Sequence, residues 1–182
     1  MKKRIFLDID GVLNWERSIS HYKWYLGIDT KRLRLLAHIV EETGAEIVLI
    51  STWGRDFVVG AYKQEDGSQA KYLNNKLRSQ GLKVYDKIAF SRYYHKYDRP
   101  YAIAEYLELH NPDTYVIIDD EWFLGYDRPE IEEHLICCCD NFRNMDEYSG
   151  LTPYLAEKAI EILNGVAKGP VIDENISRIC KE

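Results

Sequence analysis

The chain has 182 residues, a formal net charge of −6, and 46% hydrophobic residues. This length is enough to bury one substantial core, so we expect one main domain. The acidic balance argues against broad nonspecific binding to duplex nucleic acid. No apolar run approaches the roughly 20 residues of a membrane-spanning helix, and the first residues lack the layout of a signal peptide. We therefore expect a cytoplasmic protein with no membrane partner.

The first apolar run of the chain, Ile5-Phe6-Leu7, leads directly into two acids, Asp8 and Asp10. Such a run is typical of a buried strand in a parallel sheet, and ligands bind at the carboxyl ends of these strands. Two buried carboxylates this close repel each other, so they call for a cation or a shared proton, and a divalent metal meets that need. The alternative is that Asp8 merely ends a strand and Asp10-Gly11 is an ordinary turn.

Two later apolar runs, each of strand length, also end in polar groups. One is followed by Ser51-Thr52 and the other ends in Asp119-Asp120. Between them lies a basic stretch that contains Lys96 and Arg99 and leads through Pro100 into a helical pattern. The order along the chain is therefore an acid pair, a hydroxyl, a cation and a second acid pair.

Strand patterns and helix patterns alternate along the chain. This alternation predicts an α/β fold with a central parallel sheet of about five strands and helices on both faces. We assign residues 1–165 to one domain and residues 166–182, which show little pattern, to a C-terminal tail of unknown role. The predicted strands lie near residues 4–9, 46–51, 83–85, 114–119 and 134–139, and the predicted helices near 30–43, 69–80, 100–110 and 152–164.

The order of these motifs resembles the haloacid dehalogenase (HAD) superfamily of phosphotransferases. The resemblance is carried by Asp8-Ile9-Asp10-Gly11-Val12-Leu13, then Ser51, then Lys96 or Arg99, and then Asp119-Asp120. It spans most of the first two thirds of the chain, and it implies a HAD-like Rossmannoid fold.

Finer details look like one small subfamily of these domains, which is named after the "Swiss Army knife" RNA repair proteins. The details lie at the second motif, in the third motif, around the second acid pair, and late in the chain. They are Ile50-Ser51-Thr52-Trp53, Arg99-Pro100, Val116-Ile117-Ile118-Asp119-Asp120 and Gly150-Leu151-Thr152-Pro153.

The resemblance implies phosphatase chemistry for the acids. Asp8 would be the nucleophile that becomes an aspartyl phosphate, and Asp10 would be the general acid and base. Magnesium would be the cofactor, held by Asp8, by the backbone carbonyl of Asp10, and by Asp119 or Asp120. Asp10 distinguishes branches of the superfamily, because its position favours a phosphatase or a mutase over a dehalogenase or an ion-pumping ATPase.

The resemblance also implies a set of phosphate-binding residues. Ser51 would hydrogen-bond a phosphoryl oxygen with Thr52 beside it, and a cation would balance the phosphoryl charge. This cation is usually lysine, whereas the position just before Pro100 holds Arg99. Arginine offers a planar fork suited to phosphate oxygens, so Arg99 is the preferred candidate and Lys96 the alternative.

The spacing between motifs and the local charge bear on the substrate. The segments 14–45 and 54–95 are too short for a separate cap domain, so we expect an open site that accepts the end of a large molecule. Basic residues with interleaved aromatics over residues 71–100 are typical of binding to single-stranded nucleic acid. The favoured substrate is therefore a nucleotide or a single-stranded nucleic-acid end bearing a terminal phosphate.

Two other functions stay open at this point. The protein could be a phosphoprotein or small-metabolite phosphatase, or it could be a catalytically silent phosphate-binding or regulatory module. The intact pair Asp8 and Asp10 argues against the silent module. We expect no stable protein partner.

Overall fold

The computed structural model describes residues 1–15, 20–23, 25–61, 63–66, 68–88, 98–121, 125–138 and 150–172. Strands and helices alternate through these ranges, with a short hairpin before the first helix. The elements are β1 Lys3–Leu7, β2 His21–Tyr22, β3 Tyr25–Leu26, α1 Thr30–Thr43, β4 Glu46–Leu49, a 3₁₀ turn Thr52–Gly54, α2 Gln69–Arg78, β5 Val84–Lys87, α3 Arg99–His110, β6 Thr114–Asp119, α4 Pro129–Glu132, β7 Leu135–Cys137, α5 Pro153–Leu163 and β8 Val171–Ile172.

Six strands form one sheet in the order β5-β4-β1-β6-β7-β8, and every neighbouring pair is parallel. β1 lies inside the sheet, where Ile5 pairs with Ile47 of β4 and with Val116 of β6. The ladder continues past the end of β1, since the Asp8 N–H donates to the Ile118 carbonyl at 3.0 Å. The carboxyl ends of β4, β1 and β6 therefore meet at one edge of the sheet.

Helices cover both faces of this sheet. The side chains along each strand point alternately into two hydrophobic clusters, one on each face. Ile5 and Leu7 of β1 belong to the cluster that also contains buried residues of α1, α2 and α5. Phe6 points to the opposite cluster, which contains Ile103 of α3 and Ile131 of α4. Burial on both faces explains why the strand sequences are nearly continuously apolar.

Side-chain caps fix where several helices begin. The Asp29 carboxylate accepts a hydrogen bond from the Lys31 N–H at 2.7 Å, and Thr152 caps α5 directly before Pro153. These contacts satisfy N–H groups that lack partners inside the helix, and proline at the first helical position loses no hydrogen bond. α1 ends at Gly44, which adopts the left-handed conformation with φ of 67°.

The predicted α/β fold is confirmed, and within the described ranges its sheet has six strands where about five were expected. The additional strand, β8, has two residues and pairs with β7, where Ile136 faces Val171. The sheet thus takes in two residues of the segment 166–182 that was predicted to be a tail. The β2–β3 hairpin and α4 were also not predicted, because two to four residues are too few to show a period.

The two segments in which a cap could be inserted are short. Among the described residues, segment 14–45 contains the β2–β3 hairpin and α1, and segment 54–95 contains the end of the 3₁₀ turn, α2 and β5. None of the described helices combines the length and the apolar character that crossing a bilayer requires.

Candidate active site

Three carboxylates meet at the carboxyl ends of β1 and β6. Asp8 follows β1, Asp119 ends β6, and Asp120 comes next; one oxygen from each lies within 4.8 Å of the others. Asp8 and Asp119 are buried. Burial raises the pKa of Asp8 to about 7, with Asp119 adding to the rise and Arg99 opposing it. Burial and the charges of Asp8 and Asp119 raise the pKa of Asp120 to about 8.

This carboxylate cluster fits a divalent cation. The three ionised acids carry a charge of −3, and the neighbouring Arg99 guanidinium reduces it to −2. Oxygen donors of this kind are the ligands that magnesium prefers. Burial is the main cause of the raised pKa values of Asp8 and Asp120, and a divalent cation bound beside them would favour the ionised carboxylates.

Arg99 is the cation that the structure brings to these acids. It begins α3 and is buried, with its Nη1 at 2.6 Å from Asp119 Oδ2 and 3.3 Å from Asp8 Oδ2. Burial alone would lower the pKa of the guanidinium, but the two carboxylates outweigh it and raise that pKa above its ordinary value. Lys96, the other predicted cation, lies outside the described residues.

Asp119 is held by further hydrogen bonds that the sequence did not predict. The Tyr126 hydroxyl donates to Asp119 Oδ2 at 2.7 Å, and the Glu121 N–H donates to Oδ1 at 3.2 Å. Burial and the adjacent Asp119 charge raise the pKa of Tyr126 well above its ordinary value, so the hydroxyl remains a donor. The orientation of Asp119 is therefore fixed by Arg99, Tyr126 and the backbone.

Ser51 connects the end of β4 to the same site. Its side chain is buried, it caps the 3₁₀ turn by accepting from the Trp53 N–H at 3.4 Å, and its hydroxyl hydrogen-bonds Asp8, which lowers the pKa of that acid. Thr52, the second predicted phosphate-binding hydroxyl residue, opens the turn and is exposed. The Lys87 ammonium donates to the Gly54 carbonyl at 2.8 Å, so it supports the turn from β5.

Asp10 lies beside the carboxylate cluster, and its own carboxylate points to two other side chains. Its Oδ1 accepts from Asn14 Nδ2 at 2.9 Å, and its Oδ2 accepts from Trp53 Nε1 at 2.9 Å. The predicted ligand on this residue is the backbone carbonyl, so these bonds do not conflict with it. Gly11 then turns with φ of +68°, and a Cβ placed there would lie 2.2 Å from Asp120 Oδ2.

Six of the predicted site residues thus gather at one edge of the sheet: Asp8, Asp10, Ser51, Arg99, Asp119 and Asp120. Sequence reasoning missed Asn14, Trp53 and Tyr126 as neighbours of the acids. Trp53 directly follows the hydroxyl motif, and Asn14 lies one helical turn after Asp10, so both had a signal in spacing. Tyr126 had none.

Three comparisons with known proteins were made. A search of curated proteins finds no match. Among solved structures, a crystal structure of a hypothetical protein from Xanthomonas campestris is similar with a TM-score of 0.45 and 13% identity, covering 98% of this chain and 88% of that one. The family model described as "HAD domain in Swiss Army Knife RNA repair proteins" matches residues 4–152. Because that match takes in every motif at the sheet edge, the chain belongs to this family of HAD domains.

Proposed function

We propose that the protein is a magnesium-dependent phosphomonoester hydrolase that works through an aspartyl phosphate on Asp8. The HAD family supports a phosphatase in general. One observation carries the specific proposal: Asp8 lies buried between the Ser51 hydroxyl and the Arg99 guanidinium, beside the acids Asp119 and Asp120. A carboxylate nucleophile with a hydroxyl donor and a cation next to it is suited to a phosphoryl group.

The reaction would proceed in two steps. In the first, a carboxylate oxygen of Asp8 attacks phosphorus, the bond between phosphorus and the ester oxygen breaks, and the Asp10 carboxyl gives its proton to that oxygen. In the second, water attacks the aspartyl phosphate, Asp10 takes the water proton, and the bond between phosphorus and Asp8 breaks. Inorganic phosphate leaves and both acids return to their starting forms.

The neighbouring residues would serve the phosphoryl group. Arg99 would neutralise its oxygens, and Ser51 would donate a hydrogen bond to one of them. Magnesium bound by Asp8, Asp119 and Asp120 would supply the remaining positive charge. Arg99 and Tyr126 would keep Asp119 oriented for this task, because both already hold its Oδ2.

Asp8→Asn tests this chemistry. It keeps the volume and removes the nucleophile, so phosphate release from 4-nitrophenyl phosphate with magnesium should be abolished, while circular dichroism stays unchanged. Asp113→Asn is the matched control, because Asp113 precedes β6 at the opposite edge of the sheet, where it accepts from the Lys2 N–H at 2.6 Å. Activity of Asp8→Asn near that of the unchanged protein would contradict the mechanism.

The favoured substrate is a nucleotide or the phosphorylated end of a single-stranded nucleic acid. The matching family model is described as a domain of RNA repair proteins, which supports a nucleic-acid substrate. A polar cavity of about 430 Å³ beside α2 also supports this class. The helix α2 packs on the 3₁₀ turn that follows Ser51, where the Tyr72 and Trp53 ring centroids are 6.3 Å apart. Three cations, three amides and one acid line the cavity: Lys63, Lys71, Arg78, Gln64, Asn74, Asn75 and Asp66.

A substrate panel separates this class from the alternatives. The panel contains phosphorylated oligoribonucleotides, matching mononucleotides, phosphopeptides and sugar phosphates. A nucleic-acid substrate should be preferred, and the preference for the oligonucleotide should shrink as salt rises, because each phosphate contact releases counterions. Preference for a phosphopeptide or a sugar phosphate would replace the proposed substrate and leave the phosphatase mechanism standing.

The cavity itself is tested by Lys63→Ala combined with Arg78→Ala. The double variant should raise KM for the oligonucleotide and leave KM for the mononucleotide unchanged, because the removed charges would contact only the longer substrate. Lys168→Ala removes a similar exposed charge, which pairs with Glu133 at 2.6 Å near the opposite edge of the sheet, and should change neither. Equal KM values for the double variant and the Lys168 variant on the oligonucleotide would rule out the cavity as a binding surface.

A further inference from the structure

Both oxygens of the Asp10 carboxylate accept hydrogen bonds, one from a side chain four residues later and one from the 3₁₀ turn. Trp53 Nε1 and Asn14 Nδ2 each donate at 2.9 Å, one to Oδ2 and the other to Oδ1. Asp10 is exposed, whereas the exposed fractions of Trp53 and Asn14 are 3% and 0%. An exposed aspartate ordinarily samples several rotamers, so two buried donors restrict a side chain that would otherwise move.

The two donors are themselves held in place. Trp53 packs in the hydrophobic core. Asn14 accepts from the Gly11 N–H at 3.1 Å and also donates to the Leu26 carbonyl at 3.3 Å. Neither an indole nor an amide loses its proton near neutral pH, so both remain donors whatever the protonation state of Asp10. Each carboxylate oxygen keeps one further lone pair on which a proton can be carried.

Trp53 also connects the acid to the nucleophile. Its backbone N–H donates to Ser51 Oγ at 3.4 Å, and the Ser51 hydroxyl hydrogen-bonds Asp8. Its indole donates to Asp10. One residue of the 3₁₀ turn therefore makes a direct contact to Asp10 and a contact through Ser51 to Asp8.

We propose that Trp53 is a positioning residue that holds Asp10 for proton transfer to the leaving group. This inference rests on the proposed function, because it assigns Trp53 to the acid step of that reaction. Proton donation matters most when the leaving oxygen is a poor leaving group. Loss of the indole N–H should therefore slow the hydrolysis of alkyl phosphates more than the hydrolysis of activated aryl phosphates.

Trp53→Phe is the test, assayed by kcat/KM, which covers the steps up to the aspartyl phosphate. We expect the value for an alkyl phosphate to fall at least tenfold more than the value for 4-nitrophenyl phosphate, as general acid catalysis is typically worth about 10²–10⁴-fold. In an Asp10→Asn background, Trp53→Phe should have no further effect, because the acid it positions is already gone. Trp15→Phe is the matched control for losing an indole, since that ring lies over Arg32.

A second variant covers the case in which Trp53→Phe is poorly folded. Benzothienylalanine incorporated at position 53 replaces the indole N–H by sulfur and preserves the ring size, so it should reproduce the same leaving-group dependence with an unchanged melting temperature. Equal losses for alkyl and aryl substrates, or losses that persist in the Asp10→Asn background, would overturn the positioning role. Such a result would leave the phosphatase function intact, because the function is tested separately by Asp8→Asn.

Discussion

Arg99→Met removes the guanidinium that balances the acids and keeps a side chain of similar length. In the unchanged protein, Arg99 Nη1 lies 2.6 Å from Asp119 and 3.3 Å from Asp8, and all three side chains are buried. Methionine fills the space but leaves both carboxylates without this cation. The net charge of the carboxylate cluster and its cation would change from −2 to −3.

The size of the effect follows from the burial of the pairs. Breaking a buried ion pair by removing one partner costs about 3–5 kcal/mol. For a chain of this length each kcal/mol lowers the melting temperature by roughly 2–4 °C, so a fall of about 6–20 °C is expected in chelator. The loss should be largest near pH 8 and smaller near pH 6, since the pKa of Asp8 is about 7 even with Arg99 present and rises further without it. A protonated Asp8 needs no cation.

The assay is thermal unfolding in chelator and in magnesium at both pH values, together with turnover of 4-nitrophenyl phosphate. Magnesium should raise the melting temperature of Arg99→Met more than that of the unchanged protein, because the ion meets a more negative site. Turnover should fall roughly a hundredfold or more.

Arg4→Met is the matched control for Arg99→Met. Arg4 is also buried, and it pairs with Glu46 at 2.5 Å near the amino end of β1. Its replacement should lower stability equally in chelator and magnesium and leave turnover unchanged. If Arg99→Met were as stable as the unchanged protein in chelator at pH 8 and showed the same magnesium response, our account of the charge balance would be refuted.

Three further predictions concern the acids at the sheet edge. Gly11→Ala should weaken magnesium binding in calorimetry, because its Cβ would lie 2.2 Å from Asp120 Oδ2 at a φ of +68°; unchanged affinity would contradict the close approach. Tyr126→Phe should cost about 1.5–3 kcal/mol in urea unfolding, since it removes a hydroxyl donor from the charged Asp119, and a cost near zero would contradict that bond. In chelator, the melting temperature should fall from pH 5 to pH 8, because the raised pKa values of Asp8 and Asp120 make the folded state bind more protons than the unfolded state. Magnesium should remove this pH dependence. A melting temperature that does not change with pH in chelator would count against the raised pKa values.

The sequence predicted where Asp8 and Asp119 lie, because each sits where a buried strand ends. A continuous apolar run followed by a carboxylate is visible without any tertiary information, and this applies to Asp8 and Asp119 alike. The neighbouring positions of β1 and β6 in the sheet then bring the two acids together, although 110 residues separate them in the chain.

The preference for Arg99 as the cation came from the predicted start of α3. Pro100 predicted where α3 begins, and the structure begins that helix at Arg99, next to the acids. The sequence left Lys96 as the alternative, and that residue lies outside the described part of the chain.

Other neighbours were missed because their contacts depend on packing. Tyr126 reaches Asp119 from a loop whose sequence shows no periodicity. The position of Trp53 beside the hydroxyl motif was a signal, but the sequence does not show that its indole reaches Asp10. β8 was missed for a different reason, since two residues, Val171 and Ile172, cannot show alternation and become a strand only through pairing with β7.

The interior position of β1 in the sheet has a consequence for how the chain can tolerate change. The acids come from β1 and from its neighbour β6, whereas β5 and β8 form the two borders of the sheet. Strands added beside β5 or β8 would alter the borders and leave the backbone ladder around Asp8 intact. Asp8 and Asp119 would therefore keep their register through changes at either border, because β1 and β6 would remain paired.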